Sequence, residues 1–330
     1  MRVVLCGPSG ARCGVCVTTT LWALGFQELG VDLRWITNLP LVDTSPRFAP
    51  IDAAVTGVKR FEAYRRPDAD YCTVEQEQNL STLWVEACDK AFACCNAGDV
   101  FFLEQSGSVI PYGRAADLLV TAKYYGMRTV VRLHSQLLQG LDTRNVDAFV
   151  APFPKEEADA LPDSEVRDIP SSKWHVVPHP CGPRVVEPDV AYLHVIGYGQ
   201  AHRMEHRYMR RAIEEAGYVY MTFGTGEEWH DVGTLLRGIA EARAIVLFYS
   251  PLRGVGRSSA LNLVLGAQRP VFCSDSIWLK DAEQWGGICD DDEMIVRGLH
   301  HWSEPSDLQR AYWNRWHPKA AAARVLENIG

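Results

Sequence analysis

The fold is decided by residues Ala244–Asp281, which have the sequence AIVLFYSPLRGVGRSSALNLVLGAQRPVFCSDSIWLKD. An apolar run predicts a strand over Ile245–Tyr249, and a loop that contains glycine follows it. The spacing after this loop predicts a helix over Ser258–Leu265, because its first two serines are good N-cap residues and apolar residues recur at helical intervals. A second apolar run predicts a strand over Pro270–Cys273. The stretch therefore forms one strand–loop–helix–strand unit of a parallel sheet.

The loop before the predicted helix has the features of an anion site. Free backbone N–H groups and the positive end of the helix dipole point at whatever lies before Ser258 or Ser259. Arg253 and Arg257 add side-chain charge on both sides of it. An ordinary crossover that ends in a capped helix explains the same pattern without a ligand, so both interpretations stay open here.

The same alternation extends over the rest of the chain. The other predicted strands are Arg2–Cys6, Asp32–Ile36, Val100–Leu103, Thr129–Leu133, Ala148–Ala151, Trp174–Pro178, Tyr192–Gly197 and Tyr218–Phe223. The other predicted helices are Thr18–Leu29, Ala115–Tyr125, Lys155–Leu161, Glu205–Ala216, Gly233–Ala242, Leu308–Trp316 and Ala320–Asn328. Continuously apolar strands that alternate with helices indicate parallel sheets covered on both faces.

Two such arrays follow one another, so the predicted fold class is α/β with two Rossmann-like, doubly wound domains that face across a cleft. The expected domains are residues 1–180, a linker over 181–190 that is rich in proline, and residues 191–330. The last helix is a candidate to pack back on the first domain. Residues 40–80 are polar and irregular, and we expect a mobile excursion there.

Bulk properties narrow the function classes. The 330 residues are 47% hydrophobic and 22% charged, with a formal net charge of −8, which argues against a general nucleic-acid binder. No apolar run approaches the roughly 20 residues of a membrane-spanning helix, and the N-terminus MRVVLCGPSG does not resemble a signal peptide. Ten irregularly spaced cysteines suit a reducing compartment. We therefore expect a cytoplasmic protein.

The Ala244–Asp281 stretch resembles the donor-binding segment of family-4-type retaining glycosyltransferases, which have the two-domain GT-B fold. The matching pieces occur in the family's order over nearly the whole chain. They are Gly7–Gly14, Val131–His134, Val176–Pro180, Gly197–Gly199, Tyr249–Pro251, Gly254–Ser259, Arg269–Val271 and Ser274–Asp275. The resemblance implies transfer of a sugar from a nucleoside diphosphate to an acceptor hydroxyl, with retention at the anomeric carbon.

One departure concerns the family's glutamate in the donor helix, which resembles an acceptor of hydrogen bonds from the ribose hydroxyls. Leu263 stands at that position, five residues before Gln268. Its acidic partner seven residues upstream is also missing, since Val255 and Gly256 occupy that loop. Asn262 or Glu228 is the substitute that we expect for nucleoside recognition.

Three residues are the catalytic candidates. By the resemblance, Arg203 neutralises the departing diphosphate, and His134 lines the sugar pocket at the end of a buried strand. Glu104 ends another strand and is expected to orient an acceptor hydroxyl. Each has a purely structural alternative: a solvated helix start for Arg203, a satisfied structural histidine for His134 and an exposed loop carboxylate for Glu104. The resemblance implies that the departing diphosphate assists deprotonation of the acceptor on the same face of the sugar, so that no dedicated protein base is required. The lack of an obvious His–Asp pair or nucleophile motif agrees with this.

The expected donor-binding residues surround this proposed diphosphate site. They are Gly7, Ser9, Gly10, Gly199, His206, Arg207, Gly224, Arg257, Ser258, Ser259 and Asn262. A basic cluster in the irregular first-domain segment is the candidate acceptor side. It consists of Lys59, Arg60, Arg65 and Arg66, and a solvated loop is its alternative explanation.

No metal or cofactor is expected, and the co-substrate is the nucleotide sugar. Cys13 and Cys16, with Cys6 nearby, lack the second cysteine pair of a structural zinc site. The acidic run at 290–293 resembles a metal-binding motif of the other main glycosyltransferase fold, but we interpret it as an exposed helix cap.

The acceptor stays open between a glycan, a small molecule and a hydroxymethylated base in viral DNA. Other function classes also stay open: a nucleotide-sugar epimerase and a non-catalytic nucleotide-sugar-binding module. Turnover of labelled donor to free nucleotide separates a transferase from both.

Overall fold

A computed structural model describes residues 1–9, 14–39, 55–65, 73–104, 112–138, 140–185, 190–198, 206–223, 232–249, 255–289 and 291–330. In this part of the chain, two parallel sheets alternate with helices. The apolar runs of the sequence become buried strands because a helix or a second layer covers each face of the sheets.

The first sheet has seven parallel strands in the order β3-β2-β1-β4-β5-β6-β7. Their bounds are β1 Arg2–Cys6, β2 Asp32–Asn38, β3 Lys59–Tyr64, β4 Val100–Glu104, β5 Arg128–Arg132, β6 Ala148–Ala151 and β7 Trp174–Val176. The helices of this half are α1 Gly14–Glu28, α2 Val74–Phe92, α3 Tyr112–Tyr124 and α4 Lys155–Asp159. The strand order reverses between β1 and β4, which makes the carboxyl ends of these two strands the expected ligand edge.

The second sheet has five parallel strands in the order β12-β11-β10-β8-β9. Their bounds are β8 Ala191–Tyr198, β9 Val219–Phe223, β10 Ala242–Leu247, β11 Val271–Ser274 and β12 Ile288–Cys289. The helices are α5 His206–Glu215, α6 Val232–Ala240, α7 Ser259–Val264, α8 Asp292–His301, α9 Asp307–Trp316 and α10 Pro318–Ile329. Here the order reverses between β8 and β10.

The expectation of a mobile excursion over residues 40–80 is wrong for the described residues of that segment. β3 is an edge strand whose first residues are exposed. Exposed positions can carry charged residues, and these interrupt the apolar run by which a strand is predicted from the sequence. α2 begins with a capping box, in which the side chains of Thr73 and Gln76 each accept a hydrogen bond from the other residue's backbone N–H. Residues 40–54 and 66–72 lie outside the described residues.

The segment between the two sheets is a buried connection and not a solvated linker. After β7, three of its backbone N–H groups donate hydrogen bonds to carbonyl oxygens of the second half. Cys181 donates to Trp316 at 2.7 Å, Gly182 to Asn262 at 3.0 Å and Val185 to Gly266 at 2.8 Å. We call residues 177–185 the crossover segment. Backbone hydrogen bonds fix its path, and its three prolines, which have no N–H group, do not prevent these bonds.

The last helix, α10, returns to the first sheet and packs on α1. The two helices approach so closely at Gly25 that a Cβ there would lie 2.2 Å from the carbonyl oxygen of Pro318 and 3.0 Å from Cβ of Ala322. At its end, the Arg128 guanidinium donates to the Gly330 carbonyl oxygen at 2.7 Å. One apolar cluster runs through this contact, with Trp22 of α1 and Val325 of α10 both fully buried.

Substituting Gly25 with alanine tests this contact. The added methyl group meets backbone and not a flexible side chain, so the helices must separate. We expect Gly25→Ala to lower the free energy of unfolding by about 1–3 kcal/mol, measured by urea denaturation. Glu28→Ala, at an exposed position of the same helix, is the matched control and should be nearly neutral. Equal stability of both variants would contradict the close approach.

Candidate active site

Two of the predicted catalytic residues form a hydrogen-bonded pair. Glu104 is the last residue of β4, and His134 follows β5, its neighbour in the sheet. The Nε2–H of His134 donates to Oε1 of Glu104 at 2.7 Å. The carboxyl group is fully buried, whereas the imidazole side chain is 21% exposed. The site therefore has a histidine oriented by a carboxylate, a contact between two residues that are 30 positions apart in the sequence.

This pairing fixes the tautomer of His134. Because the carboxylate can only accept, Nε2 carries a proton, and in the neutral tautomer Nδ1 holds the lone pair. Among the described residues, Nδ1 of His134 has no hydrogen-bond partner. In its neutral form, an imidazole held in this way at Nε2 can accept a proton from a hydroxyl group at Nδ1.

Two basic side chains, Arg132 and His179, lie next to the Glu104–His134 pair. Arg132, the last residue of β5, is opposite Glu104 in the strand register and is fully buried. Its guanidinium donates to Nδ1 of His179 at 3.0 Å and to the carbonyl oxygen of Val177 at 2.8 Å. The rings of His134 and His179 are stacked with their centroids 5.3 Å apart. The crossover segment thus supports the histidine of the site.

Burial sets the charge states of these two side chains. Burial lowers the pKa of Arg132 to about 10, although the negative charge of Glu104 opposes this, so the guanidinium stays charged at neutral pH. Burial, with the positive charge of Arg132 next to it, holds the pKa of His179 well below its usual range. His179 is therefore neutral, accepts at Nδ1 and donates from Nε2 to the carbonyl oxygen of Arg257 at 3.1 Å.

The loop after β1 lies directly beside Glu104. A Cβ at Gly7 would lie 2.9 Å from Cβ of Glu104 and 2.7 Å from Cγ2 of Thr19, so only glycine fits at this predicted donor-binding position. The next predicted residue, Ser9, is already engaged. Its backbone N–H donates to the Asn38 side chain at 2.8 Å, and its hydroxyl accepts from Thr37 at 2.9 Å.

The predicted donor helix begins opposite this loop. Ser258 is the N-cap of α7, and its side chain makes no capping hydrogen bond but contacts the Tyr249 hydroxyl at 2.8 Å. A Cβ at Gly14, the first residue of α1, would lie 2.6 Å from Oγ of Ser259. The first residues of α1 and α7 therefore meet where the two halves face each other. Behind them, a Cβ at Gly256 would lie 3.4 Å from the carbonyl oxygen of His134.

Arg257, a predicted donor-binding residue, contacts two carboxylates in the structure. Its guanidinium donates to both oxygens of Glu157 at 2.9 and 3.2 Å, and its Nε lies 3.5 Å from Asp281. Its side chain is only 4% exposed. Because Glu157 belongs to the first half and Asp281 to the second, Arg257 joins the two halves.

Asn262 is likewise engaged in structural contacts. Its amide donates to the carbonyl oxygen of His179 at 2.7 Å and to the Tyr312 hydroxyl at 3.3 Å, and the residue is fully buried. These contacts hold the crossover segment, and they do not support the predicted role in nucleoside recognition.

The predicted acceptor cluster is spread along the edge strand β3 and is partly engaged. Arg60 lies over the ring of Trp35 at 4.9 Å and donates to the Val55 carbonyl oxygen, and Arg65 pairs with Glu77 at 3.1 Å. Lys59 is exposed.

Several predicted residues cannot be placed. Gly10, Arg66, Gly199, Arg203 and Gly224 lie outside the described residues, as do Glu228 and Arg253. His206 and Arg207 begin α5, but their side chains are not described. The roles predicted for these residues, that of Arg203 above all, stay predictions.

Sequence reasoning assigned no role to Arg132 or His179. The available signals were an arginine within the apolar run VVRLH and a histidine between two prolines. A charge inside a buried strand needs a partner, and this requirement is the general reason to look for one.

The acidic run was interpreted correctly as a helix cap. Asp291 is the N-cap of α8, and its side chain accepts from the backbone N–H of Met294 at 2.7 Å. Cys6 and Cys16 are buried and form no disulfide bond within the described residues, and Cys13 lies outside those residues. Within the described ranges, no group of three or more His, Cys, Asp or Glu side chains is arranged to hold a metal ion, and no helix is long and apolar enough to span a membrane.

The buried neutral His179 predicts a pH dependence of stability. In the unfolded chain this histidine takes up a proton below its usual pKa of about 6.5, whereas the folded state holds it neutral. Protonation therefore favours the unfolded chain, and the free energy of unfolding falls as the pH drops below about 6.5, by up to about 1.4 kcal/mol per pH unit.

The measurement is urea denaturation between pH 7.5 and 5.5. We expect His179→Gln to be less stable than the parent at pH 7.5, with a difference that shrinks as the pH falls. His301→Gln, at an exposed position, should keep the parent's slope. A parent and a His179→Gln variant with parallel pH profiles would contradict a neutral His179.

Known structures share this architecture at low sequence identity. A UDP-forming α,α-trehalose-phosphate synthase from Burkholderia vietnamiensis is 11% identical with a TM-score of 0.57, and the match covers 99% of this chain and 98% of that one. The glycotransferase of kitacinnamycin is 11% identical with a TM-score of 0.53, over 100% and 99% of the two chains.

A third similar structure is an alpha-glucosyltransferase in complex with UDP and a 13-mer DNA that contains an HMU base. It is 13% identical with a TM-score of 0.52, and the match covers 100% of this chain and 95% of that one. No protein-family model matches the chain, and no curated protein sequence matches it significantly. The prediction of fold class is confirmed: the chain has the two-sheet α/β architecture of the GT-B glycosyltransferases over its full length.

Proposed function

We propose that this protein is a glycosyltransferase that moves a sugar from a nucleoside-diphosphate sugar to an acceptor hydroxyl. The observation that carries the proposal is the Glu104–His134 pair at the carboxyl ends of β4 and β5. It lies at the edge where the strand order reverses, and the start of α7 in the second half faces it. Of the three similar structures, one is named a glycotransferase, one an alpha-glucosyltransferase that holds UDP, and one a UDP-forming synthase.

The donor diphosphate is proposed to lie between the loop after β1 and the start of α7. The backbone N–H groups at a helix start favour a negative charge there. Arg203, with Ser258 and Ser259, is proposed to stabilise the charge that develops as the bond between sugar and phosphate breaks. No metal is required by this scheme, because side-chain and backbone groups supply the positive charge.

The family resemblance implies retention. In that course the departing diphosphate takes the proton of the acceptor hydroxyl on the same face of the sugar, and His134 contacts the sugar. The new C–O bond forms on the face from which the phosphate oxygen leaves.

The His134–Glu104 pair favours a second course. In it, Nδ1 of His134 takes the proton as the acceptor oxygen attacks the anomeric carbon from the face opposite the leaving diphosphate, and the Glu104 carboxylate stabilises the imidazolium that forms. The product then has the inverted configuration, so the two courses predict opposite anomers.

Substitution of the pair tests both the activity and its course. If His134 is the base, Glu104→Gln and His134→Gln should each lower kcat by about 100-fold or more. Proton NMR of the anomeric signal of the fresh product assigns the course: inversion supports the histidine base, and retention supports the same-face transfer.

The control for these variants is His301→Gln, an exposed histidine far along the chain on α8, which should keep full activity. Nucleotide release from a panel of nucleotide sugars measures the rates. Release that depends on the acceptor separates a transferase from an epimerase and from a binding module. An absence of nucleotide release with every donor, while binding persists, would leave the binding module.

The acceptor is proposed to be a small molecule or a glycan, and DNA is the alternative that one similar structure suggests. The placement of the basic cluster weakens the DNA alternative, because Arg60 and Arg65 already have partners. Even so, Lys59 and Arg65 lie on the same edge strand or just after it, where a phosphate backbone could contact them.

Charge reversal at this edge separates the two acceptors. If DNA is bound here, Lys59→Glu/Arg65→Glu should weaken DNA binding and reduce the slope of log K against log salt by about 0.9 for each phosphate contact that is lost. Transfer to a small acceptor should be unchanged. Arg297→Glu/Lys319→Glu, with the same change in net charge elsewhere, is the control. DNA binding equally weakened by both pairs would show that only net charge matters.

A further inference from the structure

The carboxyl group of Glu104 has few hydrogen bonds for a group that is so deeply buried. The residue is fully buried, and its Oε1 accepts from Nε2 of His134 at 2.7 Å. Its Oε2 is also buried and accepts no hydrogen bond from the described residues. A carboxylate that is removed from water persists only where hydrogen bonds or a nearby positive charge stabilise it. The anionic form of Glu104 therefore depends on a cation next to it.

Arg132 is the cation that lies beside this carboxyl group. The two residues are opposite each other in the β4–β5 register, so their side chains leave the same face of the sheet. The guanidinium is fully buried, and it donates to two uncharged acceptors, the Val177 carbonyl oxygen and Nδ1 of His179. Burial lowers the pKa of Arg132 to about 10, and the negative charge of Glu104 opposes this more strongly than that of Asp281 does. Each of these two buried charges therefore stabilises the other.

The other charged groups around the pair already balance one another. Arg257 bridges Glu157 and Asp281, and Lys280 is a second cation on Glu157. His179 adds no charge, because burial holds its pKa well below its usual range. Two cations thus match two carboxylates at the contact between the halves. The carboxylate at the end of β4 and the guanidinium at the end of β5 are left to balance each other.

We propose that Arg132 is a positioning residue that keeps Nδ1 of His134 free of a proton by balancing the charge of Glu104. A carboxylate, a guanidinium and a neutral imidazole have no net charge together. If the guanidinium is removed, the buried pair takes up a proton from solvent to restore the balance.

Both possible places for this added proton have the same consequence for His134. An imidazolium next to a carboxylate carries protons on both ring nitrogens. A carboxylic acid instead donates to Nε2 of a neutral imidazole, whose own proton is then on Nδ1. In either case Nδ1 has no lone pair with which to accept the proton of a hydroxyl group. Arg132 therefore determines whether His134 is able to act as a base.

NMR of the imidazole nitrogens tests the inference without substrate. Long-range proton–nitrogen correlation of the full-length protein, labelled with nitrogen-15 in its histidines, separates a nitrogen with a lone pair from one that carries a proton. The signals of His134 are identified by their loss in His134→Gln. At pH 7.5 we expect a lone pair on Nδ1 in the parent and a proton on Nδ1 in Arg132→Gln, in which the side chain is neutral but still able to donate a hydrogen bond.

His179→Gln is the control that separates charge from packing. It removes the ring that stacks on His134 and an acceptor of Arg132, but it keeps the guanidinium charge. We therefore expect Nδ1 of His134 to keep its lone pair in this variant. If Arg132→Gln does not fold, as judged by circular dichroism, Arg132→Met is a second neutral variant of similar length.

Three results would overturn the inference. They are a proton on Nδ1 in the parent, a lone pair on Nδ1 in a folded neutral variant of Arg132, and a proton on Nδ1 in His179→Gln. The last result would show that the stacked ring, and not the charge, controls the protonation of His134.

The catalytic consequence rests on the proposed function, in its course with a histidine base. In that course, Arg132→Gln should lower kcat by about 100-fold, as His134→Gln does. An unchanged kcat, together with the expected NMR signals, would remove the histidine base from the proposed function. It would leave the charge balance between Arg132 and Glu104 supported, so the two failures are distinguishable.

Discussion

The structure around the site depends on one buried charge, the guanidinium of Arg132. A charge that is removed from water is tolerated only when hydrogen bonds and opposite charge compensate its lost solvation. Here Val177 and His179 of the crossover segment supply the hydrogen bonds, Glu104 supplies the negative charge, and the ring of Trp22 lies 5.7 Å away. Strand β5, helix α1 and the crossover segment therefore all contribute to the surroundings of the Glu104–His134 pair.

A second set of contacts fixes how the halves meet. Val255, from the loop before α7, is 2% exposed and belongs to an apolar cluster that otherwise consists of first-half residues. Arg257 then bridges Glu157 and Asp281, and α10 lies on α1 at Gly25. Each contact inserts a group of the second half into the first. Apolar packing and buried ion pairs therefore both hold α7 opposite His134, in addition to the crossover segment.

The sequence predicted the elements of the fold well wherever burial alone defines them. β1 and β6 have the predicted bounds, because a continuous apolar run needs no knowledge of its neighbours. β3 and α2 escaped prediction because an edge strand and a helix with a narrow apolar face carry few buried residues. A local pattern of apolar residues indicates a strand or a helix only where many of its residues are buried, and β3 and α2 have few buried residues.

The sequence predicted where the site residues lie along the chain, but it did not predict which of them contact one another. Glu104 and His134 were both expected at strand ends, but their hydrogen bond depends on the β4–β5 register, which pairs Glu104 with Arg132. Arg257 shows the converse. A cation beside a helix start resembles an anion ligand in the sequence, and its carboxylate partner Glu157 lies 100 residues away. Partners at such separations are set by tertiary packing, which local spacing does not encode.

Arg257 also connects the contact between the halves to the support of the Glu104–His134 pair. Its guanidinium bridges Glu157 and Asp281, while its carbonyl oxygen accepts from Nε2 of His179. His179 in turn stacks on His134, whose other contact is Glu104. The ion pairs that join the two halves and the hydrogen bond that holds the His179 ring therefore meet at one residue, Arg257.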